Sequence, residues 1–95
     1  MALYLISYDI AEKDKEEYEP LWALLKMMGA KKILYSEWII AGEVNDAQKI
    51  YDKIMPNLKQ ADRLLVQEVT KNAFWDKLII SDDAFANIIR AKARG

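Results

Sequence analysis

The chain has 95 residues, of which 53% are hydrophobic and 31% charged, and its formal net charge is −1. This length excludes a second domain and allows one hydrophobic core. With no Cys and no His, disulfides, thiolate metal sites and histidine general bases are excluded. Any catalysis would depend on carboxylates, Lys, Tyr or hydroxyl groups. The near-neutral charge provides no general attraction for nucleic acid.

The uncharged runs are short. None approaches the roughly 18 apolar residues that a membrane-spanning helix needs, and no basic segment followed by an apolar one marks a signal peptide. We therefore expect a soluble, cytoplasmic protein that does not have the membrane as a partner.

The first element is the stretch LYLISYDI, which carries no charge before Asp9. Residues 2–8 are apolar at both alternating positions, which predicts a central strand covered on both faces. The acidic segment AEKDKEE then predicts a loop, with Asp14 as a helix cap. A helix with Pro20 in its first turn should follow and end at Gly29. Its apolar stripe comprises Leu21, Trp22, Leu25 and Met28.

Residues 31–41 contain two apolar runs, ILY and WIIAG, joined at Ser36 and Glu37. This pattern predicts a tight hairpin, with one bent strand as the alternative. A second helix, capped by Asn45 or Asp46, should end or bend at Pro56. The β-rich run over residues 63–69 predicts a fourth strand. The apolar stripe of the second helix comprises Ala47, Ile50, Tyr51, Ile54 and Leu58.

The element order strand, helix, strand, strand, helix, strand predicts an α+β fold. This element order is that of the ferredoxin-like βαββαβ sandwich. In that fold two helices cover one face of a four-stranded antiparallel sheet, and the first and third strands are central. We expect a single domain of residues 1–95, with this core in residues 1–70.

Residues 71–95 are predicted to form a C-terminal extension with a short helix. Ser81 should cap this helix, with Phe85, Ile88 and Ile89 facing inward. Apolar residues before the helix should either cover the second face of the sheet or form an interface with a second subunit. These residues are Phe74, Trp75, Leu78, Ile79 and Ile80.

Three segments in this order resemble a known family: Tyr8 and Asp9 ending the first strand, GAKKILYSEW over residues 29–38, and DRLLVQEV over residues 62–69. They resemble the small CRISPR-associated ferredoxin-like, metal-dependent nucleases that accompany the spacer integrase. The chain is more similar still to the solitary SinR-like relatives of that family, over residues 2 to about 80. Leu34 departs from the family, which commonly has Gln there, and Trp38 stands where Phe is usual.

The resemblance implies a homodimer in which the two copies of Asp9 lie close together at the two-fold axis and hold Mg²⁺. When bound, such a cation activates a water and stabilises developing charge, here for cleavage of RNA or DNA. In this hypothesis Asp9 is the catalytic residue and metal ligand, and Tyr8 and Ser36 contact the substrate. Glu12 and Glu37 are candidate second ligands or bases.

Each candidate also has a structural interpretation. Asp9 would cap the turn that leaves the strand, as Asp commonly does, Ser36 would be a turn hydroxyl, and Glu12 and Glu37 would be solvated charges. The corresponding functional alternative is a non-catalytic dimeric interaction module or toxin-system component of the same fold. A small-molecule sensor is a third class, but fold alone does not support it.

The aromatic and basic residues have two interpretations as well. Exposed aromatic rings stack on bases, whereas strand aromatics commonly pack in the core, where we expect Trp38. The basic residues either discourage edge aggregation or contact phosphates. The aromatic candidates are Tyr8, Tyr35 and Trp38, and the basic ones are Lys31, Lys32 and Arg63.

Overall fold

The structure of the protein, a computed structural model, describes residues 1–11 and 18–95. Its strands are β1 Ala2–Asp9, β2 Lys31–Leu34, β3 Glu37–Gly42 and β4 Arg63–Val69, and its helices are α1 Glu19–Met27, α2 Ala47–Ile54 and α3 Asp82–Lys92. The four strands form one antiparallel sheet in the order β2-β3-β1-β4. The α+β class and the central pair β1 and β3 are therefore confirmed, and the order is compatible with the predicted sandwich. The predictions for Glu12 and Asp14 lie outside the described residues.

Strand β1 is covered on both faces, as its uncharged sequence predicts. Its even-numbered side chains, among them Tyr4 and Ile6, pack in a core shared with α1 and α2. Its odd-numbered side chains Leu3 and Leu5 pack against the C-terminal extension, residues 71–95. We call these two sides of the sheet the helix face and the extension face. The core on the helix face is the larger of the two and contains Trp38, as predicted.

The first helix ends as predicted. Pro20 lies in its first turn, and Leu21 and Leu25 are fully buried. Gly29 has φ +90°, and its N–H donates to the Lys26 carbonyl while the N–H of Ala30 donates to the Leu25 carbonyl. Because glycine adopts this left-handed conformation without steric cost, the chain can close the helix and enter β2 at once.

Strands β2 and β3 form the predicted hairpin. Tyr35 and Ser36 make the turn, and Glu37 already belongs to β3 rather than to the turn. The register shifts between Lys32 and Leu34, which marks a bulge in β2. The alternative of a single bent strand is wrong, because the two segments pair antiparallel.

The start of α2 differs from the prediction. Asp46 occupies the cap position, but its side chain makes no capping hydrogen bond, and Asn45 has φ +65°. The hydroxyl of Tyr4 instead accepts the Asp46 amide at 2.9 Å and donates to the Glu43 carbonyl. A buried phenol therefore takes the place of a local cap. The helix ends before the 3₁₀ turn Met55–Asn57, which contains Pro56, as predicted.

The C-terminal extension covers the second face of the sheet within the same chain. Phe85 and Ile89 of α3 are buried there with Ile33 of β2 and Ile39 of β3. The rings of Trp75 and Phe85 meet edge to face, with centroids 4.7 Å apart. The covering role predicted for Trp75, Leu78 and Ile80 is thereby confirmed.

Two other predictions for the extension have opposite outcomes. Ser81 caps α3, since its hydroxyl accepts the Ala84 amide at 3.1 Å. Phe74 and Ile79, however, are fully and 60% exposed, so they do not cover the sheet of their own chain, and the alternative of an interface with a second subunit stays a prediction for them. Buried and exposed side chains alternate here in a segment that is irregular, with bends and no helix or strand over residues 71–80.

Candidate functional site

Asp9 is the last residue of central strand β1. Leu3 and Leu5 lie on the extension face, so strand alternation places Ser7 and Asp9 on the same face. The extension does not bury this end of the strand, because the Asp9 side chain is 73% exposed. The principal candidate thus lies at an open corner of the extension face.

The end of the sheet near Asp9 carries one cation and a second carboxylate. Arg63 of β4 lies directly opposite in the strand register, and its guanidinium nitrogen is 3.7 Å from the Asp9 carboxylate. Two residues before Asp9 on β1, the Ser7 hydroxyl donates to the carboxylate of Glu37 on β3 at 3.3 Å. We call these four residues the polar corner: Ser7, Asp9, Glu37 and Arg63.

The polar corner of one chain holds two carboxylates, those of Asp9 and Glu37. Mg²⁺ is usually held by one or two carboxylates together with substrate phosphates. Here Asp9 faces a cation of its own chain, and among residues 1–11 and 18–95 no three acidic side chains form a group that could hold a metal ion. The binding of Mg²⁺ at Asp9 therefore stays a prediction.

Tyr8 faces the opposite side of the sheet from Asp9. It is 6% exposed, and its phenol oxygen accepts the indole N–H groups of Trp22 at 3.1 Å and Trp38 at 3.0 Å. Base stacking requires an exposed ring, so Tyr8 and Trp38 do not meet this condition. Tyr35, 75% exposed in the hairpin turn, does meet it.

Ser36 lies next to the end of β1 through its main chain. Its carbonyl accepts the Tyr8 amide at 3.1 Å, which brings the hairpin turn to the same end of the sheet as Asp9. The ammonium group of Lys32 lies 5.2 Å from the Tyr35 ring centroid and 5.9 Å from that of Trp22. The fold therefore gathers Tyr8, Ser36 and Asp9 at one end of the sheet, with Tyr8 on the other face.

No known protein-family model matches the chain. Within residues 1–11 and 18–95, the helices are too short or too polar to cross a membrane.

Asp62 is a residue that the sequence reasoning missed. Its carboxylate accepts the amides of Ala11 at 2.9 Å and Lys59 at 2.8 Å, and the Tyr18 hydroxyl at 3.0 Å. Burial alone would raise the pKa of this carboxyl, but the hydrogen bonds from Lys59, Ala11 and Tyr18 outweigh it and lower the pKa. Asp62 thus joins the loop before β4 to the end of β1. An Asp directly before a strand is a turn signal.

A second unforeseen contact fixes the end of the chain to β4. Arg94 makes two hydrogen bonds of 2.6 Å to the Glu68 carboxylate, and a parallel bridge joins Arg94 to Thr70. The Arg94 guanidinium lowers the pKa of Glu68, and the carboxylate raises the pKa of Arg94 in return. Bidentate pairing of this kind is geometrically specific. It holds the C-terminal extension across the sheet.

Proposed function

We propose that this chain is a cytoplasmic, ferredoxin-like protein that forms homodimers and serves as a non-catalytic interaction module. The observation that carries the proposal is the contact between Asp9 and Arg63. The Asp9 carboxylate is 73% exposed beside Arg63, so water and this cation screen its charge without a bound metal ion. The hydroxyl of Ser7 is likewise engaged within the chain, since it donates to the Glu37 carboxylate at 3.3 Å.

The ferredoxin-like assignment is supported by the sheet and its helices. The edge-to-edge order β2-β3-β1-β4 separates β1 from β2 and β3 from β4, the two strand pairs that a helix connects, as two interlocked β-α-β units would. Both α1 and α2 pack on the same face. The extension adds a third layer on the other face.

Self-association is supported by apolar residues on the surface. Met27, Leu65 and Ile79 are each more than half exposed, in a chain of only 95 residues. Leu65 lies at the centre of the edge strand β4. Contacts with a second chain would remove such side chains from water.

The second candidate function is the one that the resemblance implies: Mg²⁺-dependent cleavage of RNA or DNA by a homodimer. One observation favours it. The Asp9 carboxylate is 73% exposed at the end of a central strand, where a second chain could approach it. This candidate needs two Asp9 carboxylates close together, since one chain supplies only one.

A nuclease assay and a mass measurement test the proposal together. The wild type, Asp9→Asn and the control Asp52→Asn, which changes an exposed carboxylate on α2, are incubated with single-stranded and duplex RNA and DNA, with and without Mg²⁺. We expect a dimer in light scattering and no cleavage by any of the three proteins. Mg²⁺-dependent cleavage lost only in Asp9→Asn would establish the second candidate instead. A monomer would contradict the dimeric module.

A further inference from the structure

The chain covers three sides of its own sheet. Helices α1 and α2 cover the helix face, and the C-terminal extension packs on the opposite face. The extension also reaches the β2 edge, where the Ile79 amide donates to the Ile33 carbonyl at 2.9 Å. At the other edge, β4 has β1 as its only strand partner within residues 1–11 and 18–95. The bridge between Thr70 and Arg94 lies just beyond the end of β4.

The hydrogen-bond pattern shows which main-chain groups of β4 point outward. Because the Tyr8 amide donates to the Ser36 carbonyl, even-numbered residues of β1 bond toward β3 and odd-numbered ones toward β4. The register pairs Ser7 with Leu65, odd with odd. The outward groups of β4 therefore belong to its even-numbered residues, and no backbone partner for them occurs in the described part of the chain. These residues are Leu64, Val66 and Glu68.

An exposed apolar side chain marks the edge on each face of the sheet. On the extension face, Leu65 at the centre of the edge strand is 51% exposed. On the helix face, α2 packs over β4, and Tyr51 and Met55 are each 38% exposed.

The orientation of α2 directs Tyr51 and Met55 toward the β4 edge. Lys49 and Lys53, on the other flank of α2, line a groove of about 570 Å³ together with Met28, which follows α1. That flank therefore faces α1. With successive residues about 100° apart around a helix, Tyr51 and Met55 lie on the flank that faces away from α1.

The edge of β4 is complementary to a second copy of itself. Residues 64–67 contain no charge and no Pro, and the pairing with β1 is regular, so the usual features that block edge pairing are missing there. In an antiparallel copy centred on Leu65, Arg63 lies opposite the neutral Gln67, so no like charges meet within residues 63–67, and two-fold symmetry makes the two ends equivalent. Glu68 lies opposite Asp62, and each of these carboxylates already accepts hydrogen bonds within its own chain.

We infer that two copies of the chain pair antiparallel along β4, with Leu65 opposite its counterpart on the two-fold axis. The inference rests on the proposed homodimer and specifies its interface. The outward main-chain groups of Leu64 in each copy bond to those of Val66 in the other, which joins the two sheets into one of eight strands. The two Leu65 side chains then form a non-hydrogen-bonded pair, the closer of the two pair types, with Cα atoms about 4.5 Å apart.

This dimer keeps the two Asp9 residues apart. In the joined sheet the order across the interface is β1, β4, the second β4 and the second β1. The two β1 strands are therefore three strand spacings apart, or about 14 Å measured across the strands. The two Asp9 carboxylates therefore cannot share one cation in it. The edge-paired dimer and the metal-dependent nuclease are in this way distinguishable by structure as well as by activity.

Two substitutions weaken the interface while leaving the fold of one chain intact. Leu65→Lys puts a charge on the two-fold axis at a side chain that is already half exposed. Val66→Pro removes an outward N–H but no hydrogen bond to β1, and edge strands tolerate Pro at such positions. Phe74→Lys is the matched control, since it changes an exposed apolar residue outside the edge. Sedimentation velocity and circular dichroism are measured on each.

Cysteine crosslinking tests the register, because the chain has no Cys of its own. Leu65→Cys should form a disulfide-linked dimer under mild oxidation, since a separation of about 4.5 Å lies within the range for disulfides. Gln67→Cys should not, because its two copies lie four residues apart in this register, about 13 Å. Ala23→Cys, exposed on α1, controls for random collision.

We expect the wild type and Phe74→Lys to have twice the mass of one chain. Leu65→Lys and Val66→Pro should be folded monomers. Among the cysteine variants, only Leu65→Cys should form a crosslinked dimer. If the wild type is a dimer and both edge variants remain dimers, the inference is wrong while the proposed homodimer stands. Crosslinking at Gln67→Cys in preference to Leu65→Cys would overturn the register. A monomeric wild type would overturn both the inference and the dimeric function.

Discussion

The phenol oxygen of Tyr8 lies 3.0 Å from the indole nitrogen of Trp38 and accepts its hydrogen bond inside the core. The indole of Trp22 donates to the same oxygen at 3.1 Å. One side chain of central strand β1 thus accepts a hydrogen bond from a residue of α1 and one of β3. The residue next to Asp9 therefore has a structural role that holds three elements together.

Replacing Tyr8 by Phe should destabilise the protein. The substitution removes an acceptor from two indole N–H groups, and Trp38 is only 3% exposed, so water cannot easily replace it. We expect the free energy of unfolding to fall by about 1–3 kcal/mol, measured by urea denaturation. Tyr51→Phe, on the exposed flank of α2, is the control and should change it by less than about 0.5 kcal/mol. Equal stabilities of the two variants would contradict the role given to the Tyr8 hydroxyl.

The carboxylate of Asp62 should make stability depend on pH in acid. Its pKa in the folded protein lies below the ordinary value of 3.8, so the folded state binds this proton less readily than the unfolded state. The stabilisation is therefore complete above the unfolded pKa and is lost as the pH falls through the folded pKa. Asp62→Asn should lower the free energy of unfolding at neutral pH. It should also reduce the fall of this free energy as the pH drops below 3.8.

Unfolding free energies of wild type, Asp62→Asn and Asp52→Asn, measured between neutral and acidic pH, check this expectation. Asp52→Asn should follow the wild type, since Asp52 is an exposed residue of α2. An unchanged acid limb in Asp62→Asn would mean that the contacts with Ala11, Lys59 and Tyr18 do not stabilise the charged form.

The two phenylalanines of the chain offer a matched pair for the C-terminal extension. Phe85 is 7% exposed against Trp75 and the sheet, whereas Phe74 is fully exposed. Phe85→Ala should lower the free energy of unfolding by about 3–5 kcal/mol, as large-to-small changes in a core do. Phe74→Ala should have little effect on the fold. Thermal melts of both variants decide this, and a stable Phe85→Ala would show that the extension is dispensable for the core.

The ion pair between Asp9 and Arg63 should contribute little to stability. Both side chains are more than 70% exposed, and exposed pairs are typically worth about 0.2–1 kcal/mol. Asp9→Asn, Arg63→Gln and the double variant should differ only slightly in unfolding free energy, and less still at high salt. A marked increase in the stability of Asp9→Asn would instead indicate repulsion between carboxylates. That result would favour the second candidate function.

Local patterns in the sequence predict most of the elements. Gly29 ends α1 and Ser81 caps α3 because each acts on the backbone within a few residues of itself. The uncharged, two-sided pattern of residues 2–8 predicts a central strand because burial on both faces leaves no place for charge. These features need no knowledge of what lies across the fold.

The residues that sequence reasoning misjudged depend on partners distant in the chain. The start of α2 is held by the hydroxyl of Tyr4, 42 residues away from Asp46. A local sequence pattern can predict a cap by Asp46 but cannot predict a contact with so distant a residue. Asp62 binds the Ala11 amide, 51 residues away. Phe74 and Trp75 are chemically similar neighbours, and only the path of the extension over the sheet makes one exposed and the other half-buried.

The sequence alone therefore determined where strands and helices lie, because backbone preferences and hydrophobic periodicity act over a few residues. Only the tertiary structure decided what each candidate side chain meets. Tyr8 and Asp9 are neighbours in the chain, yet the alternation of a strand sends one into a core between tryptophans and the other to an open corner beside Arg63. A strand places successive side chains on opposite faces, and what covers each face is supplied by parts of the chain far away in sequence.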